Sequence, residues 1–323
     1  MSNYNFKVEC FTSNDIKKIT SHRNGEQKIG ETIQIDWTHS TCKFVILGVI
    51  DDIGPQANFG LPGAVNSFTP FLNRFLNMQD NRFLKGESIG LFGTIKSDYK
   101  YTTIEEARDY VSHLDNYVSK CVTKILKQNK IPILIGGGHN NGYPLIKASS
   151  EYYDQSIDCV NLDPHGDCRA LEGRHSGNPF SYALKHKYLG KYTVFGLHES
   201  YNSESIYQFL DEHNCSYSFF EDYIDSPQQF INDITNFNIN RNKQIMLGIE
   251  LDLDSIAMMP TSAYTPSGIM IEWARKYIRL LSKNNKICYL HLTEGAPINP
   301  TEDKIIGKTL AYLTVDFIKS YQK

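Results

Sequence analysis

The segment CVNLDPHGDCR, residues 159–169, carries the strongest chemical signal in the sequence. It begins with apolar residues typical of a buried strand and continues with Asp163, His165 and Asp167 at alternate positions. Burying two carboxylates beside an imidazole costs free energy unless a partner compensates for the lost hydration. We therefore expect these three side chains to bind a cation at the end of a strand.

A second acidic segment, GIELDLDSI at residues 248–256, shows the same alternation. Glu250, Asp252 and Asp254 are separated by apolar residues, so in a strand they would point to one face of the sheet. Three like charges side by side repel one another, and without a counter-ion at least one of them would have to be protonated. This segment also predicts a bound cation.

A third segment, GGGHNNG at residues 136–142, adds the imidazole of His139. By itself it is a weak signal, because a histidine after a glycine turn is usually a hydrogen-bonded loop residue. Together the three segments hold too many ligands for one ion and a suitable number for two. Their carboxylates suit Mn²⁺ better than structural zinc, and two such ions about 3.5–4 Å apart can activate a shared water for hydrolysis.

The elements that would position these residues are strands in a parallel sheet. Seven continuously apolar segments predict strands covered on both faces, at residues 44–50, 89–95, 131–137, 157–162, 192–197, 244–253 and 286–292. Helical periodicity lies between them, at residues 104–129, 143–151, 201–212, 226–236, 265–283 and 302–321. This alternation predicts a three-layer α/β/α fold with a doubly wound, mostly parallel sheet. Ligands bind such sheets at the carboxyl ends of the strands, where all three polar segments lie.

Composition limits the size and the partners of the protein. A chain of 323 residues with 41% hydrophobic content can bury a large core. Since no linker or repeat divides it, we predict a single domain over residues 1–323, with roughly residues 1–40 at its periphery. A net charge of −3 argues against nucleic acid as the main partner and favours a small molecule.

The sequence also predicts a cytoplasmic protein. Its start lacks the pattern of a signal peptide, and no apolar segment is long enough to span a membrane. The seven cysteines are an odd number without metal-binding or redox spacing, as expected for reduced residues used in packing.

In order and spacing, GGGH, NLDPHGD and ELDLD resemble the three metal-binding motifs of the ureohydrolase family, which includes arginase, agmatinase and formimidoylglutamase. The resemblance covers roughly residues 44–320 and includes the segments 48–64, 173–184 and 292–297. It implies an arginase-like fold, two Mn²⁺ ions per chain and a homo-oligomer, either a trimer or a hexamer.

The resemblance also implies roles for individual residues. One Mn²⁺ would be held by His139, Asp163, Asp167 and Asp252, and the other by Asp163, His165, Asp252 and Asp254. Asp167 also counts among the catalytic residues. His175 matches the family's mobile histidine, which would carry a proton to the leaving amine. Glu294 matches the carboxylate that holds the guanidinium or amidine group, through two hydrogen bonds.

Three residues depart from the family pattern. Pro164 replaces the usual Ala, and Asn140 stands where an acidic or hydroxyl residue often follows the first histidine. Glu250 occupies a position usually held by Ser, so Glu250 and Asp252 could form the ligand pair in place of Asp252 and Asp254. We prefer the second pair, because it keeps the two-aspartate ligand type.

The substrate is the least determined part of the prediction. The segments RHSGNPF and DCR look closer to formimidoylglutamase-like members than to arginase. Arg169 and Arg174 would suit a substrate with two carboxylates, although Arg169 could simply pair with a motif carboxylate and Arg174 could be solvated. The candidate substrate-binding residues are Asn58, Arg169, Arg174, Ser176, Asn178 and Glu294.

Two functions from different classes follow. The first is hydrolysis of an amidine C–N bond, converting N-formimino-L-glutamate to glutamate and formamide, or arginine to ornithine and urea. The alternative is a metal-poor, catalytically silent protein of the same fold that binds or regulates, and Glu250 could mark such a loss. The presence of all six expected ligand types argues against this alternative.

Overall fold

The structure, a computed structural model, describes residues 4–321. Within these residues nine strands form one sheet. They are β1 (Lys7–Glu9), β2 (Phe44–Ile50), β3 (Ile89–Lys96), β4 (Ile131–Ile135), β5 (Ile157–Leu162), β6 (Leu189–Leu197), β7 (Ser216–Phe219), β8 (Leu247–Asp252) and β9 (Ile287–Thr293). Their order in the sheet is β1-β3-β2-β4-β9-β8-β5-β6-β7, and only β1 is antiparallel to its neighbour.

Helices cover both faces of this sheet. In the described part of the chain they are α1 (Ser13–Ile19), α2 (Ile29–Thr32), α3 (Ile53–Ala57), α4 (Phe68–Phe75), α5 (Ile104–Leu126), α6 (Gly142–Tyr153), α7 (Pro179–Lys185), α8 (Glu204–Glu212), α9 (Phe220–Asp225), α10 (Pro227–Asn240), α11 (Ile271–Leu281) and α12 (Pro300–Tyr321). None of them is long and apolar enough to cross a membrane.

Two apolar clusters separate the three layers. Phe44 and Ile46 of β2 belong to one cluster, together with residues of α4 and α9 to α12. Val45 and Leu47 of the same strand belong to the other, together with residues of α3 and α5 to α8. Because successive side chains of a strand point to opposite faces, the sheet lies between two layers of helices. The predicted α/β fold is confirmed.

The seven predicted strands are all present, with shifts of a few residues at their ends. β4 ends at Ile135, before the predicted boundary at residue 137, because Gly136 and Gly137 adopt positive φ angles of 88° and 70°. β1 and β7, of three and four residues, were not predicted. Both are short edge strands without the continuous apolar pattern of the central ones.

The strand order places the polar segments next to one another. β4, β9, β8 and β5 are consecutive and parallel, and every residue in them is buried. Their carboxyl ends therefore lie side by side near the middle of the sheet. The segments that follow or end these strands contain His139, Glu294, Asp252 and Asp163.

Candidate metal centre

His139 lies at the centre of a ring of carboxylates. The turn after β4 places it at the carboxyl ends of the central strands, where its side chain is 1% exposed. Its Nδ1 atom lies 3.0 Å from Asp163 Oδ2, 3.0 Å from Asp167 Oδ2 and 3.1 Å from Asp252 Oδ2. One ligand atom from each of these four residues lies within 4.8 Å of the others. The structure thus brings together the four residues expected to hold the first ion.

The residues expected at the second ion are arranged more loosely. His165 Nδ1 lies 3.5 Å from Asp163 Oδ1 and 4.0 Å from Asp254 Oδ2. Asp252 Oδ1 accepts a 2.8 Å hydrogen bond from the backbone N–H of Asp254. Asp163 therefore has one oxygen towards each imidazole, as expected of a carboxylate shared by two ions.

A turn, rather than the strand alternation that we expected, brings the second motif together. β5 ends at Leu162, and Asp163 Oδ1 accepts a 2.8 Å hydrogen bond from the N–H of His165. Asp167 has a φ angle of 47°, in the left-handed region that Asp tolerates better than most residues. The chain therefore bends back, and the Asp167 carboxylate reaches His139.

The charges of this cluster favour a bound cation. Burial and the nearby carboxylates of Asp254 and Asp163 raise the pKa of Asp252 well above its ordinary value, and burial raises the pKa of Asp254 to about 6. Burial alone would lower the pKa of His139, but the surrounding carboxylates raise it well above its ordinary value. A divalent ion bound here would offset the repulsion between these carboxylates and favour their ionised forms.

The donor set fits a metal ion. Among the described residues, neither ring nitrogen of His139 has a partner with hydrogen-bond geometry, although three carboxylate oxygens lie near Nδ1. Buried nitrogen and oxygen atoms that converge without hydrogen bonds to one another are well placed to coordinate a metal ion. Oxygen-rich donors with one imidazole for each ion are the type that Mn²⁺ accepts.

A cavity of about 270 Å³ opens over this cluster. Its lining includes His165, Asp167, Asp252 and Asp254, and four of the predicted substrate-binding residues, Asn58, Arg169, Ser176 and Glu294. Arg169 is exposed. In the described part of the chain the ion pairs of Asp167 and Asp254 are to histidines, so these carboxylates do not neutralise Arg169.

Glu294 lies at the wall of the cavity, directly after β9. Its Oε1 accepts a 2.6 Å hydrogen bond from the backbone N–H of His139, and its Oε2 accepts a 3.4 Å hydrogen bond from Ser262. Burial and the charge of Asp254 raise the pKa of Glu294 to about 8. The positive charge of a substrate group bound here would lower the pKa of Glu294 again and favour the ionised carboxylate.

Arg174 lies outside the cavity lining, in a buried ion pair. Its Nε donates a 2.8 Å hydrogen bond to Asp115, its Nη2 donates a 3.0 Å hydrogen bond to the carbonyl oxygen of Asn140, and its guanidinium stacks on Tyr143 and Tyr182. It is 3% exposed, so it is not solvated either. The structure therefore does not bring Arg174 together with the other candidate substrate residues.

His175 and Asn178 are also absent from the cavity lining. Asn178 Nδ2 lies 2.9 Å from His175 Nε2, and His175 Nδ1 accepts a 3.1 Å hydrogen bond from the N–H of Gly177. Burial and the charges of three nearby arginines lower the pKa of His175 to about 3. The side chain of this segment that does line the cavity is the neighbouring Ser176. The role of His175 as a proton carrier stays a prediction.

Several residues of the site were not predicted. Tyr201 stacks on His165 at a centroid distance of 5.7 Å, and Ser262 contacts Glu294; both lie in loops without a recognisable motif. His291 lies beneath His139 and contacts Glu250. The sequence could have indicated His291, because a histidine inside an apolar segment such as KICYLHL is unusual.

The two arrangements considered for the third motif can now be compared. Asp252 faces His139 Nδ1 and Asp254 faces His165, whereas Glu250 lies on the other side of His139, 3.5 Å from Nε2. Asp252 and Asp254 as the ligand pair stay a prediction, because ligand atoms of His139, Glu250 and His291 also lie close enough together to hold an ion.

The chain is similar to proteins of known structure and function. A formimidoylglutamase of Macrococcus caseolyticus is 27% identical over 267 residues, which are 82% of this chain and 79% of that protein. The structure of formimidoylglutamase from Bacillus subtilis matches with a TM-score of 0.75 and 15% identity over 94% of each chain. That of Trypanosoma cruzi formiminoglutamase with Mn²⁺ matches with a TM-score of 0.72 and 20% identity, over 90% of this chain and 98% of that one.

At these low identities the two solved structures show the fold. The family itself is shown by the sequence profile of the Arginase family, which matches residues 81–319. Since this is more than half of the sequence, and the fold and the acidic cluster agree with it, the chain belongs to the arginase family, a family of amidine hydrolases.

Proposed function

We propose that the protein is a Mn²⁺-dependent hydrolase of N-formimino-L-glutamate, which it converts with water to glutamate and formamide. The observation that carries this proposal is a single cavity that has the histidine and aspartate cluster at its base and both Glu294 and Arg169 in its lining. The relatives named formimidoylglutamase support the choice of substrate.

Six residues would hold the metal ions. His139, Asp163, Asp167 and Asp252 would bind one ion, and Asp163, His165, Asp252 and Asp254 the other. When bound, two Mn²⁺ ions lower the pKa of a shared water and so supply hydroxide at neutral pH.

The protein's own side chains would orient the substrate. The formimino group is an amidine, and its protonated form is a planar set of N–H donors that the Glu294 carboxylate can accept in two hydrogen bonds. Arg169 would bind a substrate carboxylate, with Asn58 and Ser176 beside it; their side chains are 3.5 Å apart. During hydrolysis the bond between the formimino carbon and the glutamate nitrogen breaks, and this nitrogen takes up a proton.

A substrate panel tests this proposal. N-formimino-L-glutamate, arginine, agmatine, guanidinobutyrate and guanidine would be assayed with Mn²⁺ for release of formamide or urea. We expect N-formimino-L-glutamate to be best, arginine to be intermediate and agmatine, which lacks a carboxylate, to be poor. No turnover of any compound by Mn²⁺-loaded protein would favour the silent alternative.

The role of Arg169 is tested by its replacement. Arg169→Ala should lower kcat/KM for N-formimino-L-glutamate by about one to two decades, since a lost charged partner costs on the order of 1–3 kcal/mol. Arg82→Ala, an exposed arginine outside the cavity, is the matched control. Agmatine as the best substrate, or equal activity of the two variants, would refute the contact with Arg169.

The expected homo-oligomer and the cytoplasmic location also stay predictions. Light scattering after size-exclusion chromatography would measure the number of chains, with a trimer or a hexamer expected. A monomer at micromolar concentration would contradict that expectation.

A further inference from the structure

Beneath the metal centre lies a second buried contact, between Glu250 and His291. The two residues are direct neighbours on the adjacent strands β8 and β9, and both side chains are fully buried. Glu250 Oε2 lies 2.5 Å from His291 Nδ1 and 3.5 Å from His139 Nε2. One carboxylate oxygen thus lies between two imidazoles, and one of these belongs to the proposed metal centre.

The two ring nitrogens of His139 face different surroundings. Nδ1 faces the aspartates of the cluster, and Nε2 faces Glu250. An imidazole that binds a metal ion through Nδ1 carries its proton on Nε2. In the described part of the chain Nε2 has no hydrogen-bond partner, and Oε2 of Glu250 is the carboxylate oxygen within reach.

The surroundings of Glu250 suit an ionised carboxylate. A Cβ placed on Gly142, the first residue of α6, would lie 3.3 Å from Glu250 Oε1. The carboxylate therefore lies against the N-terminus of a 12-residue helix, where the partial positive charge favours an anion. Nδ1–H of His291, as a donor to Oε2, fixes the carboxylate, whereas Oε1 has no hydrogen-bond partner among the described residues.

We propose that Glu250, fixed by His291, is a positioning residue. When the first metal ion is bound, the Glu250 carboxylate accepts a hydrogen bond from the Nε2–H of His139 and thereby holds Nδ1 towards the ion. This inference rests on the metal centre of the proposed function. Histidines that bind metal commonly donate their second N–H to a carboxylate, which fixes the ring and makes it a stronger ligand. Glu250 then supports a ligand without being one.

Manganese binding to a Glu250→Gln variant tests the inference. The substitution keeps the shape of the side chain and removes its charge. We expect isothermal titration calorimetry to show about 10- to 100-fold weaker binding at one of the two sites. Saturation should still require two Mn²⁺ per chain, and the KM for substrate at saturating Mn²⁺ should stay unchanged.

Asp158→Asn is the matched control, because Asp158 is a buried carboxylate at the opposite end of the neighbouring strand β5. It should bind Mn²⁺ like the wild type. Unchanged affinity in Glu250→Gln would refute the positioning role while the metal centre stands. Loss of one Mn²⁺ at saturation would make Glu250 a ligand, and a third ion in the wild type would make Glu250 and His291 a separate site; either result overturns the inference.

Substitutions of His291 give an independent test if Glu250→Gln does not fold. His291→Asn keeps an N–H donor near the position of Nδ1, whereas His291→Leu removes it. The inference predicts that Asn preserves Mn²⁺ affinity better than Leu, and equal losses in both variants would contradict it. A wild-type protein that binds no Mn²⁺ at all would refute the proposed function and this inference together.

Discussion

Replacing Asp163 with Asn should weaken the binding of both proposed metal ions. Asp163 is fully buried, with Oδ2 3.0 Å from His139 and Oδ1 3.5 Å from His165. Asn has nearly the same shape, so the change removes a charge and one anionic oxygen without opening a cavity. Because each oxygen faces a different imidazole, both proposed ions should be affected.

The magnitude follows from this shared position. Loss of a partner that only supports a ligand typically costs about 10- to 100-fold in metal affinity. If Asp163→Asn weakens each of the two ions by at least about tenfold, their combined binding falls by at least about 100-fold, or about 3 kcal/mol. Turnover at limiting Mn²⁺ should fall by at least the same factor.

Calorimetric titration with Mn²⁺ measures this effect, and the melting temperature of the metal-free variant shows whether it folds. Asp158→Asn serves as the control again, since it removes a buried carboxylate from β5, the strand that ends directly before Asp163. Two equivalents of Mn²⁺ bound to Asp163→Asn with wild-type affinity would refute the shared-ligand reasoning.

Further predictions concern proton transfer, the cavity wall and pH. His175→Ala should keep Mn²⁺ and lower kcat by about 100-fold or more if its imidazole carries the proton to the leaving amine; loss of Mn²⁺ as in Asp163→Asn would contradict this role. Ser176→Ala should raise KM more than it lowers kcat, and the reverse would contradict a contact with the bound substrate. Without metal, burial raises the pKa of Asp254 to about 6 and, together with the charge of Asp254, that of Glu294 to about 8. At these two groups the fold therefore holds protons that the unfolded chain has released, and their contribution to stability falls as the pH rises from about 4 to 8. Because Mn²⁺ favours the ionised forms, adding Mn²⁺ should raise the melting temperature of the protein more at pH 8 than at pH 6. Equal increases at the two pH values would contradict the proposed charge balance.

The central part of the fold could be predicted because its strands carry an unmistakable pattern. β2 and β5 begin and end at the predicted residues, since continuous apolar segments bounded by polar ones indicate strands buried on both faces. The short edge strand β7 contains polar residues and is only partly buried, so it lacks this pattern. A continuous apolar pattern arises only where a strand is buried on both faces, and edge strands are less buried than central ones.

The acidic cluster was predictable for a related reason. Asp163 and Asp252 come directly after or at the end of buried strands, where a parallel sheet gathers its ligands. The segment from residue 174 to 178 was harder, because its conformation depends on distant partners. Arg174 is held by Asp115, 59 residues away on α5, and no local pattern shows which side chain of such a loop faces the cavity.

The role of Glu250 also depends on a contact that the sequence hides. Its alternation with Asp252 predicts one face of the sheet, and both residues do contact His139. The sequence does not show that these contacts are to different ring nitrogens of His139, nor that Glu250 also contacts His291 on the neighbouring strand.

Reconstitution of metal-free protein with Mn²⁺ tests the central claim most directly. After treatment with EDTA and removal of the chelator, N-formimino-L-glutamate hydrolysis should be absent. It should return as Mn²⁺ is added and reach its full rate near two equivalents per chain, as proposed from the cluster around His139 and His165. Full hydrolysis by the metal-free protein, or neither Mn²⁺ binding nor hydrolysis at saturating metal, would contradict the account.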